Sequence, residues 1–572
     1  MLNIEALVSE KYPALVHKPA VLKTPVMQLL RHLFHEDEVN EFLHAHQDLG
    51  AFEFTDKVLE HFRISYLVSA REKENIPSEG RVVIVSNHPL GTLDGLVLLK
   101  LIGEVRRDIK ILANDLLWQF EPLRPLLLPV DNLTQSGYRK TVREVTDCLK
   151  NEQAVIIFPA GEVSRATATG IKDGPWQSGF VHFARKTNAP ILPIHLNSKN
   201  SAIFYSLSMI YRPIGGLMLV NEMFKKNAED MPVRIGELIP LERFDNNELP
   251  LKTRLKLLRK HVYRLPKNKK SLFVTEKPIA HPEERQLLRR ELRKAECLGQ
   301  TQDGMQIYLF DYASDSPVMR ELGRLRELTF RRVGEGTGQR YDLDSYDRNY
   351  QHLILWDDEA LELVGAYRIA ECASVIRDNG LQGLYAASLF SYQPALEPLL
   401  ENAVELGRSF VQPRYWGRRS LDYLWYGIGA YLKSRPHINR MLGPVSISAK
   451  LPQIARDLLV IYYRHYFGLE QMAKANAPYG PSDAGISEAQ RLFCFTDARE
   501  DFIALKERLD LYGVTVPTLY KQYTELCEEQ GVHFLDFSVD ADFGYCIDGL
   551  VMVNVAQIKA KKRQRYMGEL NA

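Results

Sequence analysis

Short apolar runs recur through the first half of this 572-residue chain and constrain its fold more than any other feature. The first covers residues 81–86, and others follow at 109–113, 154–158, 191–196 and 233–238, with helix-period segments such as 138–149 between them. A strand that helices cover on both faces reads as a continuous apolar run rich in β-branched residues. The alternation therefore predicts an α/β domain.

The second half has a different pattern of elements. Strands are predicted at 305–311, 352–356, 361–370, 403–411 and 440–449, and helices at 318–330, 420–433 and 453–466. No internal repeat relates this half to the first. The pattern predicts a second domain of the α+β class, built on a mixed sheet.

The change of pattern sets the expected domain boundaries. We expect a helical region over residues 1–54, the α/β domain over 55–265, a linker over 266–304 and the α+β domain over 305–572. The linker is predicted because prolines and a dense charged run, 283–296, interrupt the periodic segments.

The overall charge and the cysteines exclude several classes of protein. With 73 Lys and Arg against 72 Asp and Glu, the chain lacks the positive charge of a nucleic-acid-binding protein. Its six cysteines lie far apart, without histidines at zinc spacing, which predicts a reducing cytoplasm and no metal site. No apolar run reaches the roughly 18 residues needed to cross a bilayer, so membrane contact is expected to be peripheral.

A basic amphipathic helix is predicted over residues 251–265. Leucines and a valine recur every three or four residues, and lysines and arginines fill the other faces. Such a helix docks on anionic lipid when its apolar stripe is free, or packs on its own domain with a solvated basic face. The sequence leaves both alternatives open.

A first candidate site follows the predicted strand at 81–86, which leads directly into Asn87-His88-Pro89, with Asp94 in the same loop. In α/β sheets, ligands bind at the carboxyl ends of the strands. A histidine accepts a hydroxyl proton near neutral pH, and a carboxylate on its second ring nitrogen fixes the tautomer. His88 and Asp94 are therefore candidates for a general base and its orienting carboxylate.

A second loop follows the predicted strand at 154–158. It contains Gly161, Glu162, Ser164 and Arg165, which supply backbone donors, a hydroxyl and a guanidinium for an anion or an oxyanion. Each of these features taken alone is common in loops without a catalytic role.

The motifs and their order resemble those of the glycerolipid acyltransferase family. In that family an NHxxxxD motif comes first, an FPEGTRS motif comes second, and an apolar strand that contains proline follows; the corresponding strand here is at 189–193. The resemblance spans residues 55–240 and implies a glycerolipid acyltransferase-like α/β domain. It implies acyl transfer from acyl carrier protein or coenzyme A to a lipid hydroxyl, with His88 as the base and Asp94 as its orienter. The implied substrate-binding residues are Asn87, Gly161, Glu162, Ser164 and Arg165.

Three departures from the family pattern affect this interpretation. Five residues separate His88 from Asp94 where the family motif has four, so the loop must bulge for the pair to close. Ala160 stands where the second motif has glutamate, and Asn132 stands where an arginine is expected. The missing arginine fits an acceptor without a phosphate.

A second candidate site lies where the predicted strand at 403–411 opens into a loop, 412–419, before a helix. Backbone donors and the helix dipole converge at such a point and can hold a pyrophosphate, with Arg414, Arg418 and Arg419 adding charge. The alternative is an ordinary β-α connection with exposed arginines.

The segments around this loop, 325–330, 342–347, 352–354 and 364–369, occur in the order seen in GNAT N-acyltransferases that use acyl carrier protein. That branch includes the ornithine lipid synthases, whose ending resembles 542–550 here, and it is similar to the acyl-homoserine lactone synthases. The resemblance covers residues 305–565 and implies a GNAT-like α+β domain in which an amine attacks a carrier thioester.

Carboxylates are the groups expected to hold and deprotonate that amine. The candidates are Glu405 as the catalytic residue, Asp344 and Asp347 on the amino-acid side, and Arg326, Arg368 and Arg408 for a carboxylate or phosphopantetheine. The alternative for this set is a salt-bridge network that shapes the substrate loop.

The whole chain thereby resembles the bifunctional ornithine lipid synthases. The implied reactions are N-acylation of the ornithine α-amine with a 3-hydroxyacyl group by the second domain, and O-acylation of that hydroxyl by the first. Acyl carrier protein or coenzyme A is the implied donor, no cofactor is bound, and the chain is expected at the inner face of the cytoplasmic membrane. The alternatives are glycine, lysine or glutamine as the amine, a lysophospholipid acceptor, or a membrane- or carrier-protein-binding module without activity.

Overall fold

A computed structural model of the chain describes residues 4–5, 20–113, 117–129, 135–167, 170–210, 219, 221–225, 229–245, 249–469 and 471–568. Contacts between Cα atoms divide the chain into two compact units, Met1–Ala280 and His281–Ala572. The division falls inside the segment predicted to be a linker.

The first unit is built on a sheet whose strands match the apolar runs of the sequence. They are β1 (Ile64–Leu67), β2 (Val82–Ser86), β3 (Ile109–Ala113), β4 (Leu127–Pro129), β5 (Ala154–Ile157), β8 (Ile191–Leu196) and β9 (Glu229–Ile235), with a separate hairpin of β6 (Arg165–Thr167) and β7 (Gly170–Lys172). Among the described residues, seven strands pair in the order β1-β9-β8-β2-β5-β3-β4. All neighbours are parallel except β8 and β9.

Helices cover both faces of this sheet. Their bounds are α1 (Ala20–Leu33), α2 (Glu36–Ala45), α3 (Ala51–His61), α4 (Ala70–Lys73), α5 (Thr92–Gly103), α6 (Gln135–Lys150), α7 (Gly179–Thr187), α8 (Ala202–Ile210), α9 (Leu241–Phe244) and α10 (Leu251–Val262). Val82 and Ile84 face a core shared with α3 and α5, and Val83 and Val85 face a core shared with α6, α7 and α10. This two-sided burial is why β2 reads as an unbroken apolar run.

The basic helix α10 packs on its own unit. Leu255, Leu258 and Val262 are buried in the core beneath the sheet. Arg254 is also buried and pairs with Asp245. The apolar stripe is therefore not free to enter a lipid surface, and the second of the two alternatives left open by the sequence describes this helix.

The second unit is built on a mixed sheet. Its strands are β10 (Glu296–Gln300), β11 (Gln306–Asp311), β12 (Gln351–Asp357), β13 (Glu362–Glu371), β15 (Ala403–Val411), β16 (Arg440–Ile447), β18 (Val532–Asp540) and β19 (Cys546–Asn554), beside a small pair of β14 (Phe390–Tyr392) and β17 (Ala473–Ala475). Among the described residues, eight strands pair in the order β10-β11-β12-β13-β15-β16-β19-β18. Every pair is antiparallel except β15 with β16. The α/β and mixed-sheet α+β predictions are confirmed.

Helices flank this sheet as well. They are α11 (Arg285–Leu292), α12 (Pro317–Val333), α13 (Cys372–Asn379), α14 (Ala386–Leu389), α15 (Glu397–Leu400), α16 (Ser420–Ser434), α17 (Gln453–Phe467), α18 (Asp483–Leu492), α19 (Ala498–Leu511), α20 (Thr518–Thr524) and α21 (Ala560–Met567). One face packs against α12, and the other packs against α16, α17 and α19. The sheet is thus buried between two helical layers.

The predicted linker, 266–304, contains two elements of the second unit. Helix α11 buries Leu288 and Leu292 against α12, and β10 pairs with β11. The charged residues that suggested a linker form ion pairs near the surface of the unit; Arg285, for example, pairs with Glu362 at 2.7 Å. An edge strand and a short helix buried along one narrow stripe have few apolar residues, which is why their sequence resembles a linker.

Candidate active sites

His88 and Asp94 form a hydrogen-bonded pair at the carboxyl end of β2. The His88 Nδ1 atom lies 2.9 Å from Asp94 Oδ2. The same oxygen accepts hydrogen bonds from the backbone amides of Leu90 (2.8 Å) and Gly91 (3.0 Å). Because Oδ2 is an acceptor in all three contacts, Nδ1 carries the proton and Nε2 keeps a free lone pair. The pair therefore has the arrangement of a general base and its orienting carboxylate.

The additional residue between His88 and Asp94 is accommodated by a glycine. Gly91 has φ 94° and ψ −125°, and it is the residue immediately before helix α5. L-residues avoid this region, whereas glycine enters it without a steric cost. Asp94 then lies in the first turn of α5, from which its carboxylate reaches back to the loop. The loop bulges at Gly91, as the motif spacing requires.

The surroundings of the pair differ on its two sides. Asp94 is completely buried, and burial raises its pKa although the bond from His88 and the loop amides lower it in part. The His88 side chain is 19% exposed and stacks on Phe158 with ring centroids 4.0 Å apart. Among the described residues, none forms a hydrogen bond with Nε2 of His88. His88 is thus accessible while Asp94 is shielded from water.

Asp173 connects the two motif loops and was not found from the sequence. Its Oδ1 accepts hydrogen bonds from the His88 amide (3.2 Å) and the Ser164 hydroxyl (2.5 Å). Trp176 donates to Oδ2 at 3.0 Å, and the Asp173 amide donates to the Tyr263 hydroxyl at 2.8 Å. The Ser164 amide in turn donates to the His88 carbonyl at 2.7 Å. Asp173 therefore fixes the backbone that carries His88.

The predicted binding residues of the first unit lie in different environments. Asn87 is buried, and its amide both donates to and accepts from the Leu196 backbone at 2.8 Å, so it ties β2 to β8. Gly161 has φ 67° and open space around it. Glu162 and Arg165 pair with each other at 2.7 Å on the surface. Ser164 has the structural contacts described above, and Asn132 lies outside the described residues.

A cleft opens in the second unit where β15 and β16 separate. The two strands pair only through Ala403–Glu405 and Arg440–Leu442 and then diverge. The cavity between them has a volume of about 700 Å³ and is lined by Arg408, Trp416 and Arg418, among others. Of the three arginines predicted to form a cradle, Arg414 pairs with Glu362 and Arg419 with Asp422, so Arg418 is the one at the cleft.

Most of the predicted charged residues of the second unit form a buried ion-pair network. Arg326 donates to Asp347 at 2.8 Å, and Arg368 donates to Asp344 at 2.7 Å. Arg326, Arg368 and Asp347 are fully buried, and the two guanidinium groups hold the pKa of Asp347 below its usual range despite burial. The structure brings these residues together, in the form expected of a network that shapes the loop 342–349.

Arg408 and Glu405 occupy different positions relative to the cleft. Arg408 lines it, with ion pairs to Asp342 (3.2 Å) and Asp344 (3.4 Å). The Glu405 carboxyl is buried behind the cleft, where Oε1 accepts from the Ala386 amide at 3.0 Å. Burial raises the pKa of Glu405 to about 7. Its Oε2 has no hydrogen-bond partner among the described residues.

Comparisons with known proteins assign each half to a family. Residues 6–272 match the family described as Acyltransferase, and residues 325–426 match the Acetyltransferase (GNAT) domain. A lyso-glycine lipid O-acyltransferase of Phocaeicola vulgatus is 33% identical over 232 residues, which are 39% of this chain and 82% of that protein. The chain belongs to the acyltransferase family. It is an enzyme in which an O-acyltransferase half is fused to a GNAT-type N-acyltransferase half.

Two further relatives match the GNAT half of this acyltransferase. A glycine N(alpha)-acyltransferase of Bacteroides thetaiotaomicron is 30% identical over 303 residues, or 50% of this chain and 89% of that protein. An L-ornithine N(alpha)-acyltransferase of Agrobacterium fabrum is 30% identical over 149 residues, or 25% of this chain and 48% of that protein. The resemblance of the two halves to these two enzyme families is confirmed.

Neither a metal centre nor a membrane span was found in the described parts of the acyltransferase. No group of three or more His, Cys, Asp or Glu side chains there could hold a metal ion. No helix among those residues is both long and apolar enough to cross a bilayer.

Proposed function

We propose that this acyltransferase builds an aminolipid with two acyl chains. The GNAT half joins a 3-hydroxyacyl group to the α-amine of an amino acid, and the first half then esterifies the 3-hydroxyl. The observation that carries this proposal is that separate halves of the chain match relatives named for these two consecutive reactions, each over more than four-fifths of the relative.

The head group has two candidates. Ornithine is the amine predicted from the sequence, and the ornithine relative supports it over part of the GNAT half. Glycine is the second candidate because the glycine relatives match both halves over most of their own lengths. We expect one of these two amino acids to be used over lysine, glutamine or a lysophospholipid.

In the proposed O-acylation, His88 Nε2 accepts the proton of the lipid hydroxyl. The hydroxyl oxygen attacks the thioester carbonyl, the C–S bond breaks, and His88 returns the proton to the departing thiolate. Asp94 holds the Nδ1 proton and stabilises the imidazolium that forms. Gly161 leaves open space on the adjoining loop, and the guanidinium of Arg165 suits the oxyanion or the carrier phosphate.

In the proposed N-acylation, the cleft between β15 and β16 holds the thioester. Its volume of about 700 Å³ leaves room for a pantetheine arm, and Arg408 and Arg418 line it with positive charge for a carboxylate or phosphate. Arg408 is held by an ion pair to Asp344, which belongs to the buried network of Arg326, Asp347 and Arg368. Glu405 is the base predicted from the sequence. Acyl carrier protein is the proposed donor, with coenzyme A as the alternative.

The proposed location is the inner face of the cytoplasmic membrane, because the substrate and product of the second reaction are lipids. A row of exposed lysines on α10, Lys252, Lys256 and Lys260, lies opposite the buried apolar stripe. Residues four apart on a helix share one face, so this row can contact anionic headgroups without exposing the core.

The central experiment is extraction of lipids from cells that express the full chain. Mass spectrometry of the extract should reveal a diacylated amino-acid lipid that is absent without the chain. Fragmentation identifies the head group as glycine or ornithine. If the purified chain instead acylated only lysophospholipid, or bound acyl carrier protein without transferring the chain, the proposal would be wrong.

The His88→Ala variant tests the order of the two reactions. It should abolish the diacyl product while the monoacyl amide accumulates, because the GNAT half is unchanged. The matched control is His182→Ala, which removes an exposed histidine on α7 in the same unit. Unchanged diacyl product in the His88 variant would remove His88 from the mechanism.

A further inference from the structure

Two acidic side chains outside the set of predicted site residues line the cleft of the second unit. Glu335 follows the end of α12, and Asp548 lies in β19. Both line the cavity between β15 and β16, although their exposed fractions are only 7% and 5%. Carboxylates this buried are expected to have a cationic partner.

The structure fixes the two carboxylates next to each other. Ser446 donates a hydrogen bond to Glu335 Oε2 at 3.0 Å. Ser446 is also the cross-strand partner of Asp548 in the pairing of β16 with β19. Directly opposed residues of an antiparallel pair have Cβ atoms about 5 Å apart on one face of the sheet. Asp548 therefore lies beside the hydroxyl that holds Glu335.

A close backbone approach holds Glu335 in place. A Cβ on Gly544 would lie 2.5 Å from the Gly334 carbonyl oxygen, so the β18–β19 turn touches the end of α12 at that point. Gly334 ends the helix with φ 88°. The two glycines let the turn and the helix end meet, and Glu335 then projects over the sheet.

The charges around the pair leave it without a cation of its own. The charge of Arg408 acts on both carboxylates, but its ion pairs are made with Asp342 and Asp344. The Lys450 side chain packs on Gly334 and is exposed. Within the described chain, neither Glu335 nor Asp548 forms an ion pair.

Unpaired polar atoms in the same cavity point to a missing ligand. Asp548 has a single hydrogen-bond donor, the Cys546 thiol, at 3.6 Å from Oδ2. Neither Oδ1 of Asp548 nor Oε1 of Glu335 accepts a hydrogen bond from the described residues. Thr329 is 6% exposed and also lines the cavity, and its buried hydroxyl has no hydrogen-bond partner among the described residues. A ligand with several donor hydrogens would satisfy these acceptors together.

Electrostatics favours a cationic ligand here. Burial raises the pKa of Glu335 to about 7, and burial with the charges of Asp540 and Glu335 raises that of Asp548 to about 8. Arg408 opposes both shifts in part. A cation between the carboxylates would offset their desolvation, and a carboxylate of raised pKa is the better proton acceptor.

We propose that Glu335 and Asp548 bind the ammonium group of the amino-acid substrate and accept its proton before it attacks the thioester. This assignment rests on the proposed function, since it takes an amino acid as the acyl acceptor. Neither residue belongs to the set predicted from the motifs.

The proton balance of the step is simple. The ammonium gives one proton to the carboxylate pair, which later releases it to solvent. The free amine nitrogen attacks the thioester carbonyl carbon, a C–N bond forms and the C–S bond breaks. The second proton leaves the nitrogen and ends on the departing thiolate, so the products are an amide, a thiol and one released proton.

Position distinguishes this pair from Glu405. Glu405 bonds the Ala386 amide behind the cleft and is not among the residues that line the cavity, whereas Glu335 and Asp548 are. A base must be within hydrogen-bond reach of the proton it takes, directly or through one water. The pair meets this geometric condition for an amine in the cleft.

The test uses the full-length enzyme with an acyl-carrier thioester and the amino acid identified by the lipid extraction. Glu335→Gln and Asp548→Asn should each lower kcat/KM for the amino acid about tenfold, and the double variant about a hundredfold. Glu335→Asp, which keeps the charge, should retain more activity than Glu335→Gln. Matched controls are Glu397→Gln and Asp510→Asn, which change exposed carboxylates of the same unit.

Two further readouts separate catalysis from folding. O-acylation of a supplied monoacyl amide by the same variants should equal that of the parent, and thermal melts should show an intact second unit. The rise of kcat/KM with pH should lose its inflection near pH 8 in Asp548→Asn. If both variants stayed within threefold of the parent while Glu405→Gln lost activity, the base would be Glu405. If the parent itself acylated no amino acid, the proposed function would fail instead.

Discussion

A single glycine decides whether His88 and Asp94 can meet. The five intervening residues form a loop too long for the usual motif, and Gly91 absorbs the difference at φ 94°. The loop then offers two backbone amides to the Asp94 carboxylate. These amides lower the pKa of the Asp94 carboxyl and so offset part of the rise that complete burial causes; the ionised form is the one that holds the Nδ1 proton of His88.

Gly91→Ala tests this point. A Cβ at Gly91 would lie 3.3 Å from the Leu219 side chain and would carry the strain of positive φ, roughly 1–3 kcal/mol. O-acylation should fall at least tenfold, measured with a supplied monoacyl amide, while N-acylation is unchanged. Gly179→Ala is the matched control because a Cβ there meets nothing within 4 Å. Full O-acylation in Gly91→Ala would show that the loop closes without the glycine.

The carboxyl of Glu335 carries a cost in stability that depends on pH. Its pKa in the fold is raised to about 7 by burial, from an ordinary value of 4.5. The folded state therefore binds the proton more tightly than the unfolded state. The stability that the protonated carboxyl contributes is fully present below about pH 4.5 and is lost as the pH rises through about 7, where the cost of the buried charge appears. The polar and charged groups around the Glu335 carboxyl are Ser446, Arg408 and Asp548.

Glu335→Gln should accordingly stabilise the second unit at high pH. The difference in melting temperature between variant and parent should be small at pH 5 and reach several degrees at pH 8, corresponding to about 3 kcal/mol at most. Differential scanning calorimetry at both values measures it. An equal difference at pH 5 and pH 8 would contradict the raised pKa.

At the scale of elements, the divergence of two strands creates the cleft of the second unit. β15 and β16 are parallel, and they pair over only three residues of each strand. Arg408 follows in β15 with φ 47°, where the register with β13 also shifts. The bulge turns the guanidinium toward Tyr385 and Phe543, whose rings lie 4.7 Å and 4.5 Å from it. The sheet irregularity thereby positions the charged group at the cleft.

The proposed contact with the membrane is made by the exposed lysines of helix α10. Replacing Lys252, Lys256 and Lys260 with Glu should reduce flotation with anionic vesicles at low salt, since each lysine near such a surface contributes about 1 kcal/mol. The buried stripe is untouched, so melting temperature and solution O-acylation should be unchanged. The control is a triple change of exposed lysines elsewhere in the chain, Lys433, Lys506 and Lys521 to Glu. Equal flotation of the two variants would place the contact elsewhere.

At the scale of the whole molecule, one chain holds two compact units with different sheets and separate sites. The proposed product of the second unit is the acceptor of the first. An amphiphilic intermediate of this kind partitions into lipid, and it can pass between sites through the membrane.

A mixing experiment follows from this arrangement. A chain with His88→Ala and a chain with Glu335→Gln and Asp548→Asn should together form the diacyl lipid on shared vesicles, because each supplies one intact site. Each chain alone should yield little of it. Product that forms only when both sites are intact in one chain would show that the intermediate does not leave the enzyme.

The sequence by itself determined the class of both units and one hydrogen-bonded pair, His88 with Asp94. Apolar runs such as 81–86 and 154–158 became β2 and β5 because strands buried on both faces need apolar residues at every position. The edge strand β10 and helix α11 were taken for a linker, since partly exposed elements tolerate charge. His88 and Asp94 were predictable because they lie on one short loop, where neighbours in the sequence are neighbours in space.

Only the tertiary structure decided which other side chains share a site. Asp173 reaches the His88 amide from 85 residues away, and Glu335 meets Ser446 across 111 residues. No local pattern encodes such contacts, because they depend on how helices and strands pack after they form. The structure also separated Glu405 from the cleft and buried the stripe of α10, since the burial of a side chain is a property of the packed fold and not of its neighbours in the sequence.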